Sequence, residues 1–453
     1  MNRNDYRRMV LLALLAVCAT ASAAAAQSSG QIAGTIRDAS AGVLPGVTVT
    51  VKNVNTGLTR TEVTADNGAY TVANLPVGTY SVAAELTGFR KAEKTGFELV
   101  ADGRITADFT LAIGALTEAV QVTAIRTETV NRTSGEISRV IDGDQVRELA
   151  LCGRNYIELA SLIPGAVQLE DDQMAITTGL GTGGTVINGA RGNTNNLTVD
   201  GGFNLDSGSN GSMINNVGLD FIEQVTIQTS NFSAAFGRNS GSSINVVTRS
   251  GTNRYRGSGF ETYRNDSLDA AQYFAPRDAN GTRIKGQLNF NDYGGSFGGP
   301  VQKNRFFFFS GVEFKKLDRV DGPFRRTMPT RAELRGDFSG RSTVIRDPLT
   351  GNPFPGNVIP ASRITADGRA IANAYNAMID QALQFSDTPT GNNATYQLDF
   401  PFSWRQDILK FDYRLNPSHT FYLRYLHDTY DLIEPRGTFI GADLPTISTR
   451  RGC

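Results

Sequence analysis

In the last third of this sequence, apolar and polar residues alternate at a strict period of two. The runs that do so are joined by turns that are tight and long by turns. Phe411-Asp412-Tyr413-Arg414-Leu415-Asn416 is the clearest run, and His419-Thr420-Phe421-Tyr422-Leu423-Arg424-Tyr425 follows three residues later. A period of two places every apolar side chain of a strand on one face and every polar one on the other. Five such strands are expected, over residues 255–264, 286–297, 305–316, 405–416 and 419–430. The connections between them run 265–285, 298–304, 317–404 and 416–418, so they are long, short, very long and tight. Water-soluble sandwiches also alternate apolar and polar residues, but few of them alternate their connections in this way. Barrels of the outer membrane do, with tight turns on the periplasmic side and long loops outside.

The faces sort accordingly. In the third strand Phe306, Phe308, Val312 and Phe314 share a parity and would meet lipid. In the fourth, Leu409, Phe411, Tyr413 and Leu415 do so, while Lys410, Asp412 and Arg414 take the wet side. A basic residue on the lipid side would cost ~2–4 kcal/mol at mid-membrane. In the fifth strand Phe421, Leu423 and Tyr425 point out, with His419 and His427 near its two ends. These are the only histidines. Eight positions of strand separate them by ~27 Å, so they cannot share a metal ion, and no metal or cofactor is expected. Five strands cannot close a barrel, since a plugged transporter lumen takes about 22. The sequence is therefore expected to be a C-terminally truncated piece that does not form a working pore by itself.

Composition agrees with a membrane wall. The chain has 453 residues, with 44 basic and 44 acidic side chains. With no excess of either sign, neither nucleic acid nor an acidic-tail partner is indicated. Mean hydropathy is slightly negative, too low for a helical membrane protein but not for a barrel, in which half of each strand faces water. Residues 1–26 read as a secretory signal: Arg3, Arg7 and Arg8 precede an apolar core, and small residues before Gln27 suit cleavage. No other segment approaches the ~20 apolar residues of a membrane helix. Three cysteines, Cys18, Cys152 and Cys453, give neither a disulfide framework nor metal spacing. Enzymatic chemistry is not expected. There is no Gly-x-Ser-x-Gly elbow between strand and helix and no His-Glu-x-x-His, and two distant histidines support no triad.

Residues 27–113 are expected to form a β-sandwich, from short strands at 31–37, 47–53, 59–64, 69–73, 80–86 and 105–111 separated by turn residues. Asp66-Asn67-Gly68 supplies a tight hairpin rather than a calcium ligand. Gly34-Thr35-Ile36-Arg37-Asp38, Leu44-Pro45-Gly46-Val47, Thr64-Ala65-Asp66-Asn67-Gly68-Ala69-Tyr70 and Leu75-Pro76-Val77-Gly78-Thr79-Tyr80 resemble a carboxypeptidase-regulatory-like domain of transthyretin type. That resemblance implies no peptidase activity.

Residues 114–138 read as a linker containing the extended run Thr117-Glu118-Ala119-Val120-Gln121-Val122-Thr123-Ala124. This run resembles the TonB box of TonB-dependent receptors, which must stay an unpaired strand so that a partner can add it to its own sheet edge. The residues equally fit a last strand of the sandwich. Residues 139–252 read as a Gly-rich α/β domain. Asp142 and Gln145 form a capping pair, Asn155 starts a helix over 156–163 that Pro164-Gly165 stops, and strands follow at 197–200, 222–229 and 244–248. Leu162-Ile163-Pro164-Gly165, Asn188-Gly189-Ala190-Arg191-Gly192, Leu197-Thr198-Val199-Asp200-Gly201 and Ile222-Glu223-Gln224-Val225-Thr226-Ile227 resemble the plug domain of those receptors. The stretch Ser230-Asn231-Phe232-Ser233-Ala234-Ala235-Phe236-Gly237-Arg238, running on into Ile244–Asn253, resembles their plug-to-barrel junction.

With the sandwich in front, the arrangement is similar to the Oar-like and SusC-like branch. The fold expected is mainly β: a transthyretin- or Ig-like sandwich, an α/β plug, and the first strands of an antiparallel transmembrane barrel over 253–453. The resemblance implies uptake of a scarce nutrient, such as an oligosaccharide, a peptide or a metal chelate, across the outer membrane of a Gram-negative bacterium. It implies TonB as partner through Glu118, Val120, Val122 and Thr123, plug-to-barrel docking by Arg191 and Arg238, an extracellular ligand, outer-membrane lipid and a surface lipoprotein. The competing expectation is a secreted or surface β-module for adhesion or carbohydrate binding.

Overall fold

The computed structural model describes residues 29–452 apart from 115–119, 124–134, 152, 169–184, 209, 212, 233–235, 237–238, 272, 274, 276, 278–279, 284, 417–418 and 435–447. The expected signal segment, Glu118, Arg238 and the tip of the last tight turn therefore lie outside the described residues. The chain divides into two compact units. The first gathers residues 1–257, 296–310 and 408–425, and the second gathers 258–295, 311–407 and 426–453.

The first unit begins with the sandwich. Its strands are β1 (Ser29–Asp38), β2 (Thr48–Asn53), β3 (Thr59–Val63), β4 (Ala69–Pro76), β5 (Gly78–Glu85), β6 (Ala92–Leu99), β7 (Arg104–Thr106), β8 (Phe109–Leu111) and β9 (Val120–Thr123). One sheet has the order β4-β1-β7, with β8 also on β1, and the other runs β3-β2-β5-β6-β9. Alternation does the work: Val49 and Val51 of β2 and Val82 and Ala84 of β5 are buried with Ile32, Ile36, Val72, Leu75, Leu99 and Phe109. Two expectations need correction. The strand expected over 105–111 is split, because between β7 and β8 the Asp108 carboxylate accepts the Thr35 N–H at 2.7 Å. Strand β6 was not expected, because Lys91, Glu93 and Lys94 interrupt the apolar pattern at what is nearly a sheet edge.

The middle domain has β10 (Ile137–Asp142), α1 (Gly143–Glu148), a 3-10 turn (Tyr156–Leu162), β11 (Ala166–Gln168), β12 (Thr185–Ile187), β13 (Asn196–Val199), β14 (Gly202–Phe203), β15 (Ile222–Ser230) and β16 (Ser243–Thr248). Its main sheet has the order β10-β15-β16-β13-β14, with β13 parallel to β16. Every residue of the central strand β16 is buried. The expected capping box at Asp142 and Gln145 forms. The helix expected over 156–163 is 3-10 instead: Asn155 caps it, and Pro164 holds Ile163 extended, so the run is cut before a second α-turn.

The wall strands are β17 (Arg256–Asn265), β18 (Leu288–Gln302), β19 (Phe306–Arg326), then β20 (Gln384–Phe385) and β21 (Ala394–Asp399), β22 (Phe402–Asn416), β23 (His419–Glu434) and β24 (Ser448–Gly452). The order β17-β18-β19-β22-β23-β24 is an open sheet, with β21 also on β19. All five expected strands form, most of them longer than expected. A sixth, β24, pairs antiparallel with β23 where a loop was expected. Four of the strands far exceed the ~9–11 residues that cross a bilayer. In the second unit the long excursion after β19 is folded rather than loose. It carries α2 (Arg331–Leu334) and α3 (Ala366–Asp380), and Met328, Ile379, Ala394 and Tyr396 pack as a small core.

Candidate functional site

Residue parity along β22 tests the two-faced reading of the wall. Phe402, Trp404, Gln406, Ile408 and Lys410 are buried, whereas Leu409 and Leu415 are exposed. On β19 the same holds: Phe307, Phe309, Glu313, Lys315 and Leu317 are buried, and Phe306 and Phe308 lie on the other parity. Those outward rings form two aromatic groups along one row within the first unit. Tyr255 stacks on Phe297 at 5.9 Å, Phe297 meets Phe308 at 5.7 Å, and Phe306 meets Phe411 and Tyr413 at 5.8 Å each. The row sits by the tight turns of the wall, where barrels carry an aromatic girdle.

On the inward face of the same unit, the middle domain meets the wall through Asp200. The Asp200-Gly201 turn between β13 and β14 has φ of +46° and +79°, the pair of left-handed conformations that a two-residue hairpin demands. This turn presents the carboxylate to three partners. Asp200 accepts the Thr248 N–H at 2.8 Å and the Thr248 hydroxyl at 2.5 Å. Arg424 Nη1 donates to it at 2.8 Å, and Lys410 Nζ stands 3.5 Å away. Lys410 also donates to the carbonyl and Oγ1 of Thr248, both at 3.1 Å, and the Tyr422 hydroxyl donates to the Asp200 carbonyl at 3.3 Å. Asp200 is only 4 % exposed. Burial alone would raise its pKa, but Lys410, Arg424 and the Thr248 hydrogen bonds outweigh burial and hold it below the ordinary carboxylate value.

A second contact supports the first. Arg249, just after β16, donates to the Asp220 carbonyl at 3.1 Å and to Ser296 Oγ at 3.3 Å, and lies over the Phe309 ring. Phe221 packs edge-on against Phe309 at 6.4 Å. This explains why the inward parity of β19 carries phenylalanines as well as charges: where the middle domain covers the wall, that face is dry. Gly251 makes the close approach possible, since a Cβ there would lie 2.4 Å from the Phe308 carbonyl oxygen.

The sandwich touches the tight-turn end of the wall through the turn after β2. The Asn55 carbonyl accepts the Asn253 N–H at 3.0 Å. Asn253 and Asn304 exchange two hydrogen bonds of 2.7 Å, and the Gly57 carbonyl accepts Arg414 Nη1 at 3.4 Å.

The coupling-segment candidates and the docking candidates are placed differently. Val120, Val122 and Thr123 lie in β9, which runs parallel to β6 with Ala92 opposite Val120 and Thr95 opposite Thr123. Arg191 is exposed. Its carbonyl accepts the Thr194 hydroxyl and holds the turn over Gly192–Thr194. The charged contact with the wall falls on Asp200, which the sequence presents only as part of the motif at 197–201. The available signal was an Asp-Gly hairpin turn together with basic residues on the inward parity of β22 and β23. Among the described residues no group of three or more His, Cys, Asp or Glu side chains could hold a metal ion.

A wall that is greasy on one face and charged on the other, with an α/β domain bonded to its charged face, has the architecture of an outer-membrane barrel segment. Family models agree. An outer membrane beta barrel domain matches residues 247–451, and a carboxypeptidase regulatory-like domain matches residues 31–112. The chain thus carries an outer-membrane barrel domain of Gram-negative type, and its sequence is similar to that of TonB-dependent receptors. It is 29% identical over 365 residues to the TonB-dependent transporter Oar of Myxococcus xanthus, an alignment that covers 77% of this chain and 32% of that protein. The chain thus spans about a third of the length of that relative. Among solved structures, the outer membrane transporter YddB of Escherichia coli is 14% identical with a TM-score of 0.36, covering 65% of this chain and 32% of the other. The siderophore receptor PirA of Acinetobacter baumannii is 13% identical with a TM-score of 0.32, covering 69% and 43%.

Proposed function

We propose that this chain belongs to a TonB-energised transporter that takes up a scarce nutrient, such as an oligosaccharide, a peptide or a metal chelate. In this reading residues 1–26 direct export, residues 139–252 are the plug, and the folded excursion between β19 and β22 supplies contacts to the extracellular ligand. Glu118, Val120, Val122 and Thr123 form the segment that TonB grips. The observation that carries the proposal is the buried junction of Asp200 with Lys410 and Arg424. Two basic side chains on the inner face of a membrane wall share one buried carboxylate of the domain that precedes it, as a plug inside a lumen would provide. Docking by Arg191 and Arg238 would add to this junction, and a surface lipoprotein would cap the assembly from outside. The alternative of an adhesion or carbohydrate-binding module leaves that inner-face junction without a purpose.

The test is binding of the periplasmic domain of TonB to the chain in detergent. The wild-type chain is expected to capture it and a Val122→Pro variant to lose it, because proline removes an N–H that strand addition needs. Equal capture by both chains would defeat the assignment of the segment.

A further inference from the structure

Strand β9 is the same segment that the transport reading gives to TonB, yet here it is already paired. It forms the last strand of the β3-β2-β5-β6-β9 sheet. The place it occupies is short. Strand β6 starts at Ala92, beside the Lys91–Glu85 ion pair. At Gly96 its own pairing with β5 slips register, because Tyr80 faces Phe97 while Ser81 faces Thr95. Gly96 has φ of +89°, the conformation of a bulge residue that bends a strand out of line. The open edge of β6 before that bend is Ala92-Glu93-Lys94-Thr95, and β9 pairs with these four residues and no others.

We infer that the N-terminal sandwich is a parking site for the coupling segment: the β6 edge and TonB are alternative partners for the backbone of Val120–Thr123. This rests on the transport reading above. In a four-residue strand, two residues turn their N–H and C=O toward β6, and only two remain for a partner on the far edge. Released from β6, the segment offers TonB all of its residues from Glu118 to Thr123. Strand addition draws its affinity from main-chain hydrogen bonds, so the free segment is the better ligand. The parked pairing is suited to release. It is short, parallel and therefore weaker per residue than an antiparallel ladder, and it lies at a sheet edge. The sandwich is itself held at the tight-turn end of the wall by Asn55 and Gly57. Parking would thus keep an exposed strand from pairing with other chains and would require β9 to be peeled from β6 before force reaches the plug.

The test is a reversible lock. Glu93 and Gln121 are register partners, so Glu93→Cys with Gln121→Cys is introduced into the full chain, with Cys18, Cys152 and Cys453 changed to Ser. Binding of the periplasmic domain of TonB is then measured in detergent before and after reduction. The disulfide is expected to form. The oxidised chain should bind about tenfold or more weakly than the reduced one, because a ligand pays in affinity for the fraction of its site that is unavailable. Failure of the disulfide to form overturns the inference, since the two backbones would then not be neighbours. Equal binding by both forms also overturns it, and would mean that TonB uses the far edge of β9 or another segment. No binding by the reduced chain or the wild type removes the TonB-segment reading itself, and the parking inference with it.

Discussion

Two junctions hold this chain together in different ways. At Asp200 the middle domain meets the wall through buried charges, with Thr248, Lys410, Arg424 and Tyr422 converging on one turn. At β9 the linker meets the sandwich through the backbone of four residues on a parallel edge. The first junction fails only if a charge is left buried without its partner, which is expensive. The second can come apart one hydrogen bond at a time, each returned to water at a small net cost. The proposed function, which holds a domain in a wall while yielding a strand to a pull, needs this contrast.

The largest effect should come from Asp200→Ala. It leaves Lys410 and Arg424 on the inner face without their carboxylate, and breaking a buried pair from one side costs about 3–5 kcal/mol. Equilibrium unfolding in detergent, read by hydrogen exchange in β13 and β16, should show the loss. Adding Lys410→Met should recover a substantial part of it, because the stranded ammonium is gone. If Asp200→Ala left exchange in β16 unchanged, the strong half of the comparison would be wrong.

Acidity should separate the junctions further. Asp200 is held below the ordinary carboxylate value, so its contribution is present above the unfolded value and is lost as the pH falls through its lowered folded value. The sandwich carries a group of opposite sign. Burial first, and then the Glu136 charge, push Asp102 up to about 7. Folded Asp102 therefore keeps a proton that the unfolded chain has released, and stability from this group falls as the pH rises from about 4 to about 7. Between pH 5 and pH 8 the sandwich should weaken while the Asp200 junction holds. Asp102→Asn should flatten the sandwich's pH dependence, as read by exchange in β2 and β5.

Much of this was legible in the sequence because it follows from periodicity. The alternation at 405–416 set the faces of β22, and Asp66-Asn67-Gly68 set a tight turn, although that turn carries the chain from β3 in one sheet to β4 in the other and does not close the expected hairpin. What escaped was of another kind. Strand β6 is hidden by Lys91, Glu93 and Lys94, which suit a strand near an edge but look like a loop. Phe307 and Phe309 fall on the face expected to be wet, because coverage by Arg249 and Phe221 is a tertiary fact. Asp200 could be read as a turn residue, but its partners lie more than two hundred positions away at Lys410 and Arg424, and no local pattern links them. Strand β9 could be read both ways from its residues, since a strand able to leave a sheet is also able to join one.

A smaller effect is expected where the sandwich meets the wall. Gly57 has φ of +69°, and a Cβ there would lie 2.2 Å from Asn304 Oδ1. Gly57→Ala places an L side chain in the left-handed region at about 1–2 kcal/mol and pushes the Asn304 amide away from Asn253. The cost should appear as faster exchange at the Asn253 and Asn304 amides, with β13 and β16 unaffected. Equal loosening of β16 would show that the sandwich and the Asp200 junction respond together, and the contrast drawn above would narrow.

The smallest change in stability should follow from Val122→Pro in β9. Proline removes one backbone donor, and a single lost hydrogen bond is worth about 0.5–1.5 kcal/mol. The unfolding midpoint of the sandwich should therefore move little, because most of its core is made by β1, β2, β4 and β5, and none of those strands pairs with β9. Exchange at Gln121 and Thr123 should nevertheless rise toward the rate of an unpaired chain. That pairing of outcomes, a local opening with the global midpoint nearly fixed, is the behaviour of a strand held for release. A large shift in the midpoint would instead make β9 an integral strand of the sandwich, and the two junctions would then differ in chemistry but not in strength.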